Sequence, residues 1–373
     1  MSRRPLVHQF TAVLAGRDAV GHHTLAVDDL LRDMGADTGI FAAHVHPEVR
    51  DRGRDFREHA AAPAPDLIIY QTSIGSPVGD YVMSRPEPLV LNYHNMTPAE
   101  FFDPWEPAVA AELDHGRRQL ARLARRADHA IAVSQFNADE LLALGMAPSS
   151  VSVSPVLFVP LWERSDSADW ASGESAELSG DPGAPSPATM LFVGRLSPNK
   201  CQQDLVGVLA GVVALGVDAR LVLVGGVSSS GFVDAVVGLA EGLGVSDRLV
   251  VAGSVSEAEL VAAYEAADVF VSVSEHEGFC VPVVEALGFG VPVVAFGAAA
   301  VPETLAGAGL VVGGDGGEKS VGVVAEAVVR VLSDVGVREG LVSRGRVRAR
   351  ELGLESSTAS MRRTLQPLLE GAR

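Results

Sequence analysis

Two hydrophobic periods alternate along the chain. Strand-length runs of apolar and β-branched residues cover 6–14, 38–45, 66–71 and 89–93, and each ends in a polar or glycine- and proline-rich turn. Stretches with helical spacing lie between and after them. The first runs from about residue 18 to 34 and is closed by Gly35, and another covers 98–126. A strand over 128–134, the helix QFNADELLALG and a strand over 151–158 complete this half. Residues 165–188 then turn small, polar and rich in proline and glycine, which predicts a linker or a mobile insertion. The rhythm restarts with a strand at 189–193, the turn GRLSPNK, a helix to 215, a strand at 220–224 and the pair Gly225 and Gly226. It continues through a helix, a strand at 248–252, a helix to 266, a strand at 268–273 and a helix that begins near Pro282. Short strands at 292–296 and 310–312 and helices at 321–332 and from 335 to the end finish the pattern. Alternating strands and helices predict an α/β protein with two doubly wound, Rossmann-like parallel sheets, over residues 1–164 and 189–354.

Composition narrows the class. At 373 residues the chain is long enough for two cores, and 47% hydrophobic with 20% charged residues is globular. A formal net charge of −18 argues against a nucleic-acid partner, because phosphate binding by counterion release needs a basic face. The N-terminal MSRRPL is basic, but the apolar run after it is interrupted at His8 and Gln9 and lacks a cleavage site, so no secretory signal is expected. No stretch of eighteen apolar residues occurs. Two cysteines, Cys201 and Cys280, suit a reduced cytoplasmic compartment and packing roles rather than a disulfide scaffold. One cluster departs from the acidic balance: Arg117, Arg118, Arg122, Arg125 and Arg126, interleaved with Leu120 and Leu123. It is a candidate for weak peripheral contact with an anionic membrane, set against the commoner solvated helix face.

The chemistry concentrates between Asp268 and Val294, DVFVSVSEHEGFCVPVVEALGFGVPVV. A buried strand there meets a turn and a helix start, with Pro282 in the first helical turn where its missing N–H is no loss. Backbone amides near Phe279, Cys280 and Val281, with the positive end of the helix dipole, favour phosphate or sugar oxygens. Glu277 on the loop and Glu285 in the first turns of the helix flank that opening, at the strand end where open α/β sheets bind ligands. Read blandly, Glu277 is a solvated loop acid and Glu285 a charge near a helix start.

The spacing of Glu277 and Glu285 within SEHEGFCVPVVEA resembles the signature of the retaining nucleotide-sugar glycosyltransferases of family 4, which have the GT-B fold. FVGRLSPNK and AVSQFNADEL resemble the same family. The resemblance implies two Rossmann-like domains facing a central cleft, with an acceptor-side domain over 1–164 and a nucleotide-sugar-binding domain over 189–354. A last helix, at about 355–373, would pack back on the first domain. It places Glu277 by the donor sugar's hydroxyls and Glu285 on the ribose hydroxyls of the nucleotide. It likewise places His94, in LNYHN, near the donor phosphate and sugar, though a histidine that merely caps the strand end reads equally well. Gly194, Arg195 and Lys200 would form the turn that meets the diphosphate, with Gly225 and Gly278 completing the donor-binding set. Only two of the 29 basic residues are lysines, Lys200 and Lys319, so a lysine in this turn looks chosen for its compact charge. The loop over 16–23 departs from the family by lacking paired glycines.

The resemblance implies transfer of a hexosyl-type sugar from a nucleoside-diphosphate sugar, the co-substrate, to a hydroxyl acceptor. No further cofactor is expected, and no metal, because no Asp-x-Asp occurs. No GxGxxG follows a strand, and GGDGGEKS misses a phosphate-binding loop because Glu318 replaces glycine. The alternatives are a sugar-nucleotide-binding protein without catalysis and a glycoside hydrolase that uses the two glutamates. Arg195 and Lys200 speak against the hydrolase, which needs no diphosphate clamp.

Overall fold

A computed structural model describes residues 3–16, 18–164, 186–314 and 319–371. Contacts divide the chain into two compact units: Met1–Asp103 with Pro107–Phe158 and Gly353–Arg373, and Pro104–Glu106 with Val159–Leu352.

The first unit carries β1 (Leu6–Leu14), α1 (Ala19–Asp33), β2 (Asp37–Val45), β3 (Gly53–Asp55), β4 (Leu67–Thr72) and α2 (Pro77–Met83). β5 (Leu89–Tyr93), α3 (Pro107–Arg126), β6 (His129–Ala132), α4 (Gln135–Ala143) and β7 (Val151–Val153) follow. Its seven strands are parallel in the order β3-β2-β1-β4-β5-β6-β7. The order reverses between β1 and β4, a topological switch that opens a crevice at the strands' carboxyl ends.

Three expectations are corrected here. The helix expected over 98–126 begins only at Pro107, after a 3-10 turn at Ala99–Phe101, because Pro104 and Pro107 break the run. The strand expected to reach residue 158 stops at Val153. Ser154 makes the last ladder bond, to the Ala132 carbonyl at 2.9 Å, and Pro155 has no N–H to continue this edge strand. The helical stretch expected from 335 to the end is interrupted at Leu352 and Gly353, so that the last helix, expected at about 355–373, stands as a separate helix.

The second unit holds α5 (Leu161–Arg164), β8 (Ala188–Val193), α6 (Gln202–Ala214), β9 (Ala219–Val224), α7 (Ser230–Gly242), β10 (Leu249–Gly253) and α8 (Glu257–Glu265). β11 (Val269–Ser272), α9 (Val281–Phe289), β12 (Val293–Phe296), α10 (Val301–Leu305), β13 (Leu310–Val312), α11 (Val321–Ser333) and α12 (Val335–Glu351) complete it. Its strands are parallel in the order β10-β9-β8-β11-β12-β13, so the switch point lies between β8 and β11. Leu161–Arg164, expected to close the first half, belongs to this unit. Most of the expected linker, residues 165–185, lies outside the described residues, and Ala188 already belongs to β8.

Beyond Leu352 and Gly353 the last helix, α13 (Leu354–Gly371), joins the first unit. It buries Met361, Leu365 and Leu369 with Val7, Leu31 and Ile69. At about 1.5–3 kcal/mol per buried apolar side chain, these three residues are enough to hold the helix there.

Apart from Glu285, α9 is apolar because it is covered on several sides: Val283, Val284, Ala286 and Leu287 are fully buried, against β11, β12, α8 and α12. Packing therefore fixes where the helix start points.

Candidate functional site

The loops that leave β8 and β11 flank the switch point of the second unit, and ten of the eleven residues singled out in the sequence lie on them or on the elements beside them. After β8 the backbone amide of Gly194 bonds the Val224 carbonyl at 2.9 Å, and that of Gly225 bonds the Gly253 carbonyl at 2.8 Å. The loops after β8 and β9 touch. A Cβ built on Gly225 would lie 2.0 Å from the Gly194 oxygen, and Gly225 has φ +144°, so only glycine fits this crossing.

The chain then forms the 3-10 turn Pro198–Lys200, in which Asn199 is the fastener. Its carbonyl accepts from the Glu275 amide at 3.0 Å, its Nδ2 donates to the His276 carbonyl at 3.3 Å, and its Oδ1 accepts from Ser197 Oγ at 2.9 Å. These bonds tie the β8 loop to the β11 loop. They bring Lys200 Nζ to 2.5 Å from Glu277 Oε1, in a pair with side chains 19% and 10% exposed. Arg195 differs, with an exposed side chain and a carbonyl bonded by Gln202 Nε2 at 3.0 Å.

Gly278 and Phe279 are buried in the turn, and the Phe279 carbonyl accepts from Thr304 Oγ1 at 2.6 Å. Cys280 precedes α9 with φ 69°, and Val281 opens the helix with Pro282 behind it. The Val281 amide, in the first turn, has no carbonyl four residues back within the helix to bond. Cys201 holds the equivalent left-handed position before α6, with φ 56°. Such a backbone is costly for a side chain with Cβ and persists where surrounding contacts over-determine it. Burial pushes the Cys201 thiol up to about 11 and the Cys280 thiol higher still, so neither is a thiolate nucleophile near neutral pH.

Glu285 is 8% exposed on α9 and accepts from Tyr264 Oη at 2.9 Å. Burial pushes its carboxyl up to about 7 against the opposing hydrogen bond from Tyr264, and burial likewise raises the Tyr264 phenol, with the Glu285 charge adding to it. Tyr264 stacks on Phe289 at 5.1 Å between ring centroids. Sequence reading missed Tyr264 because it lies on a different helix, 21 positions before its partner, in a segment without a motif.

Asp204, Glu275 and Cys201 bring potential metal-ligand atoms within 4.8 Å of one another, the one such group among the described residues. Lys319 fills it: Nζ lies 2.5 Å from Asp204 Oδ2 and 2.6 Å from Glu275 Oε1. Its charge is the one a cation would supply, and the Cys201 proton stays on.

The eleventh residue, His94, is in the first unit, at the carboxyl end of β5. Its Nε2 lies 2.7 Å from Gln71 Oε1, and its ring meets that of His23 edge-on at 4.7 Å. Burial lowers its imidazole to about 3, so it is neutral at physiological pH.

Of the arginine cluster, Arg117 pairs with Glu140, Arg118 with Asp114, and Arg122 with Asp80; Arg126 donates to the carbonyls of Arg85 and Glu87. The protein's own acceptors thus offset most of the charge an anionic surface would meet. Among the described residues no helix is long and apolar enough to cross a membrane.

A family model described as "Glycosyl transferases group 1" matches residues 177–347, and one described as "Glycosyltransferase Family 4" matches residues 33–155. No curated protein matches the chain. Among solved structures, the chain is similar to sucrose-phosphate synthase from Thermosynechococcus elongatus, with TM-score 0.73 and 18% identity over 99% of this chain and 100% of that one. It is similar to Anabaena HepE in complex with UDP-glucose, with TM-score 0.73 and 17% identity over 98% and 100% of the two chains. It is also similar to WaaG, a glycosyltransferase involved in lipopolysaccharide biosynthesis, with TM-score 0.72 and 14% identity over 95% and 98%.

Proposed function

Because the chain belongs to the family 4-like glycosyltransferases of the GT-B fold, we propose that it moves a hexosyl unit from a nucleoside-diphosphate sugar to a hydroxyl acceptor. In this reading the anomeric configuration is retained and no divalent metal takes part. The observation that carries the proposal is the Lys200–Glu277 pair at the switch point, with exposed Arg195 on the same loop and the start of α9 beside it. A departing nucleoside diphosphate develops about two negative charges, which fixed cations and helix-start amides can meet. HepE, a structural neighbour, binds UDP-glucose, which makes that donor the first to try.

Each residue then has a task. Lys200 exchanges its carboxylate partner for the diphosphate, and the freed Glu277 accepts hydrogen bonds from the sugar's hydroxyls. Arg195 adds a planar fork to the same phosphates. Glu285 accepts the ribose hydroxyls, and the amides of Phe279, Cys280 and Val281, together with the dipole of α9, stabilise the leaving phosphate. Attack comes from the face the leaving group vacates, and a donor phosphate oxygen takes the acceptor's proton. His94 supports the reacting sugar. No second acid or base is needed, because the leaving group is itself basic enough to accept that proton as it departs.

A panel of nucleoside-diphosphate sugars beginning with UDP-glucose, assayed for slow hydrolysis and for transfer with EDTA present, tests the proposal. Turnover in EDTA and a product whose NMR spectrum shows the donor's anomeric configuration are the expected results. Activity lost in EDTA and restored by magnesium or manganese would overturn the metal-free account, and an inverted product would overturn retention. Thermal stabilisation by the sugar nucleotides without turnover would instead identify a binding protein.

A further inference from the structure

We propose that Gln9 and Gln71 are positioning residues that lock His94 as the Nε2–H tautomer, so that its Nδ1 faces a substrate hydroxyl as a hydrogen-bond acceptor. The identity of that hydroxyl, on the donor sugar, rests on the transferase reading above, whereas the tautomer assignment does not.

The argument starts at a backbone carbonyl, which can only accept. Thr24 is a fully buried residue of α1, and its carbonyl oxygen lies 3.2 Å from the side-chain amide of Gln9 on β1. Gln9 is itself fully buried, so the group facing that oxygen has to be the NH2, and the amide oxygen of Gln9 points the other way. Gln71, on β4, lies 2.8 Å from that oxygen and is 1% exposed. The same logic applies again: Gln71 presents its NH2 to Gln9 and its Oε1 to His94, at 2.7 Å from Nε2. An amide oxygen accepts, so His94 Nε2 carries the proton.

The neutral ring then has an unprotonated Nδ1, and no hydrogen bond among the described residues reaches it. Three side chains on β1, β4 and the end of β5 thus convert the fixed polarity of one carbonyl into the polarity of one imidazole. The orientation of each amide follows from its neighbour, because hydrogen positions are assigned from the network.

The ring beside His94 obeys the same rule. Leu157 N–H donates to His23 Nδ1 at 2.9 Å, so His23 Nε2 carries the proton and has to donate to Asn92, 2.6 Å away. The structure has Asn92 Nδ2 against that nitrogen, donor to donor, so the carboxamide is assigned the other way round, with its oxygen toward His23. Burial keeps the His23 imidazole well below its usual range, so the group stacked edge-on against His94 stays uncharged. Burial likewise keeps His94 neutral at physiological pH.

A neutral acceptor at this position suits a hydroxyl donor. It does not suit a phosphate oxygen, which also only accepts.

The test is 15N NMR of the full chain with labelled histidine, with the His94 signals identified by their loss in His94→Gln. At pH 7 the expected spectrum has Nδ1 in the unprotonated range and Nε2 in the protonated range. Gln9→Leu removes the acceptor that orients Gln71, so the His94 Nδ1 signal should move toward the protonated range. With a turned-over donor, kcat should fall roughly tenfold, the worth of one hydrogen bond, while KM changes less than about twofold. Gln71→Glu keeps an acceptor at His94 Nε2. It should preserve the tautomer and raise the pH at which His94 titrates, a response that a purely structural role would not produce. A wild-type His94 protonated at Nδ1, or a tautomer unaltered in Gln9→Leu, would overturn the proposal. So would a Gln71→Glu variant that leaves the titration of His94 where it was. If no sugar nucleotide is turned over, the transferase reading fails while the NMR result still decides the tautomer.

Discussion

Glu285 ties the stability of the second unit to pH. Its carboxyl is 8% exposed, and burial, opposed by the Tyr264 hydrogen bond, pushes it from 4.5 to about 7. At 1.36 kcal/mol per unit the displacement corresponds to about 3 kcal/mol. Below pH 4.5 the side chain is neutral in both the folded and the unfolded chain, and its burial carries no ionic cost. Between pH 4.5 and 7 the unfolded chain releases the proton while the folded chain keeps it, so folding takes up a proton and stability falls as pH rises. Above pH 7 both states are ionised and the full cost is present. Glu285→Gln removes this titration and leaves the others in place. The variant should match the wild type near pH 4.5 and exceed it by about 3 kcal/mol at pH 8. Urea unfolding followed by tryptophan fluorescence is a suitable assay, because Trp162 lies against Gly288 on the same helix as Glu285. A difference between the two proteins that stays constant from pH 4.5 to 8 would refute the reasoning.

The same group sets the pH dependence of binding. If only the ionised carboxylate accepts the ribose hydroxyls, affinity for a nucleoside-diphosphate sugar should fall about tenfold from pH 8 to pH 6, and calorimetry should find this slope absent in Glu285→Gln. Arg195→Ala or Lys200→Ala should each cost on the order of 100-fold in turnover, as the loss of one transition-state charge partner does; steady-state rates at saturating donor check this, and a double variant with normal rates would contradict it. Gly225→Ala should destabilise the second unit by at least about 2 kcal/mol, because the new Cβ meets the Gly194 oxygen in a backbone conformation unsuited to alanine. Thermal unfolding reads this, and an unshifted Tm would mean that the two loops separate freely.

Much of this molecule is written locally. The β-branched runs and amphipathic stretches mark nearly every strand and helix, because burial on a sheet or along a helix stripe repeats with a fixed period. Proline and glycine spoil the reading where they act through a missing N–H or a break, as at Pro104, Pro155 and Gly353. Glu277 and Glu285 were legible because one strand, turn and helix carry both, and Gly194, Arg195 and Lys200 because one turn does.

The partners of these groups were not legible. Lys200 meets Glu277 across 77 positions, Tyr264 meets Glu285 from another helix, and Gln9, Gln71 and His94 line up only because β1, β4 and β5 are adjacent. Strand order and register decide such meetings, and a periodic pattern encodes which face of an element is buried without saying which element covers it. Carboxyl and imidazole pKa values follow the same division. The sequence by itself determined which titratable groups stand at the strand ends, whereas the depth of burial that moves Glu285 up and His94 down arises from packing that only the folded chain brings together.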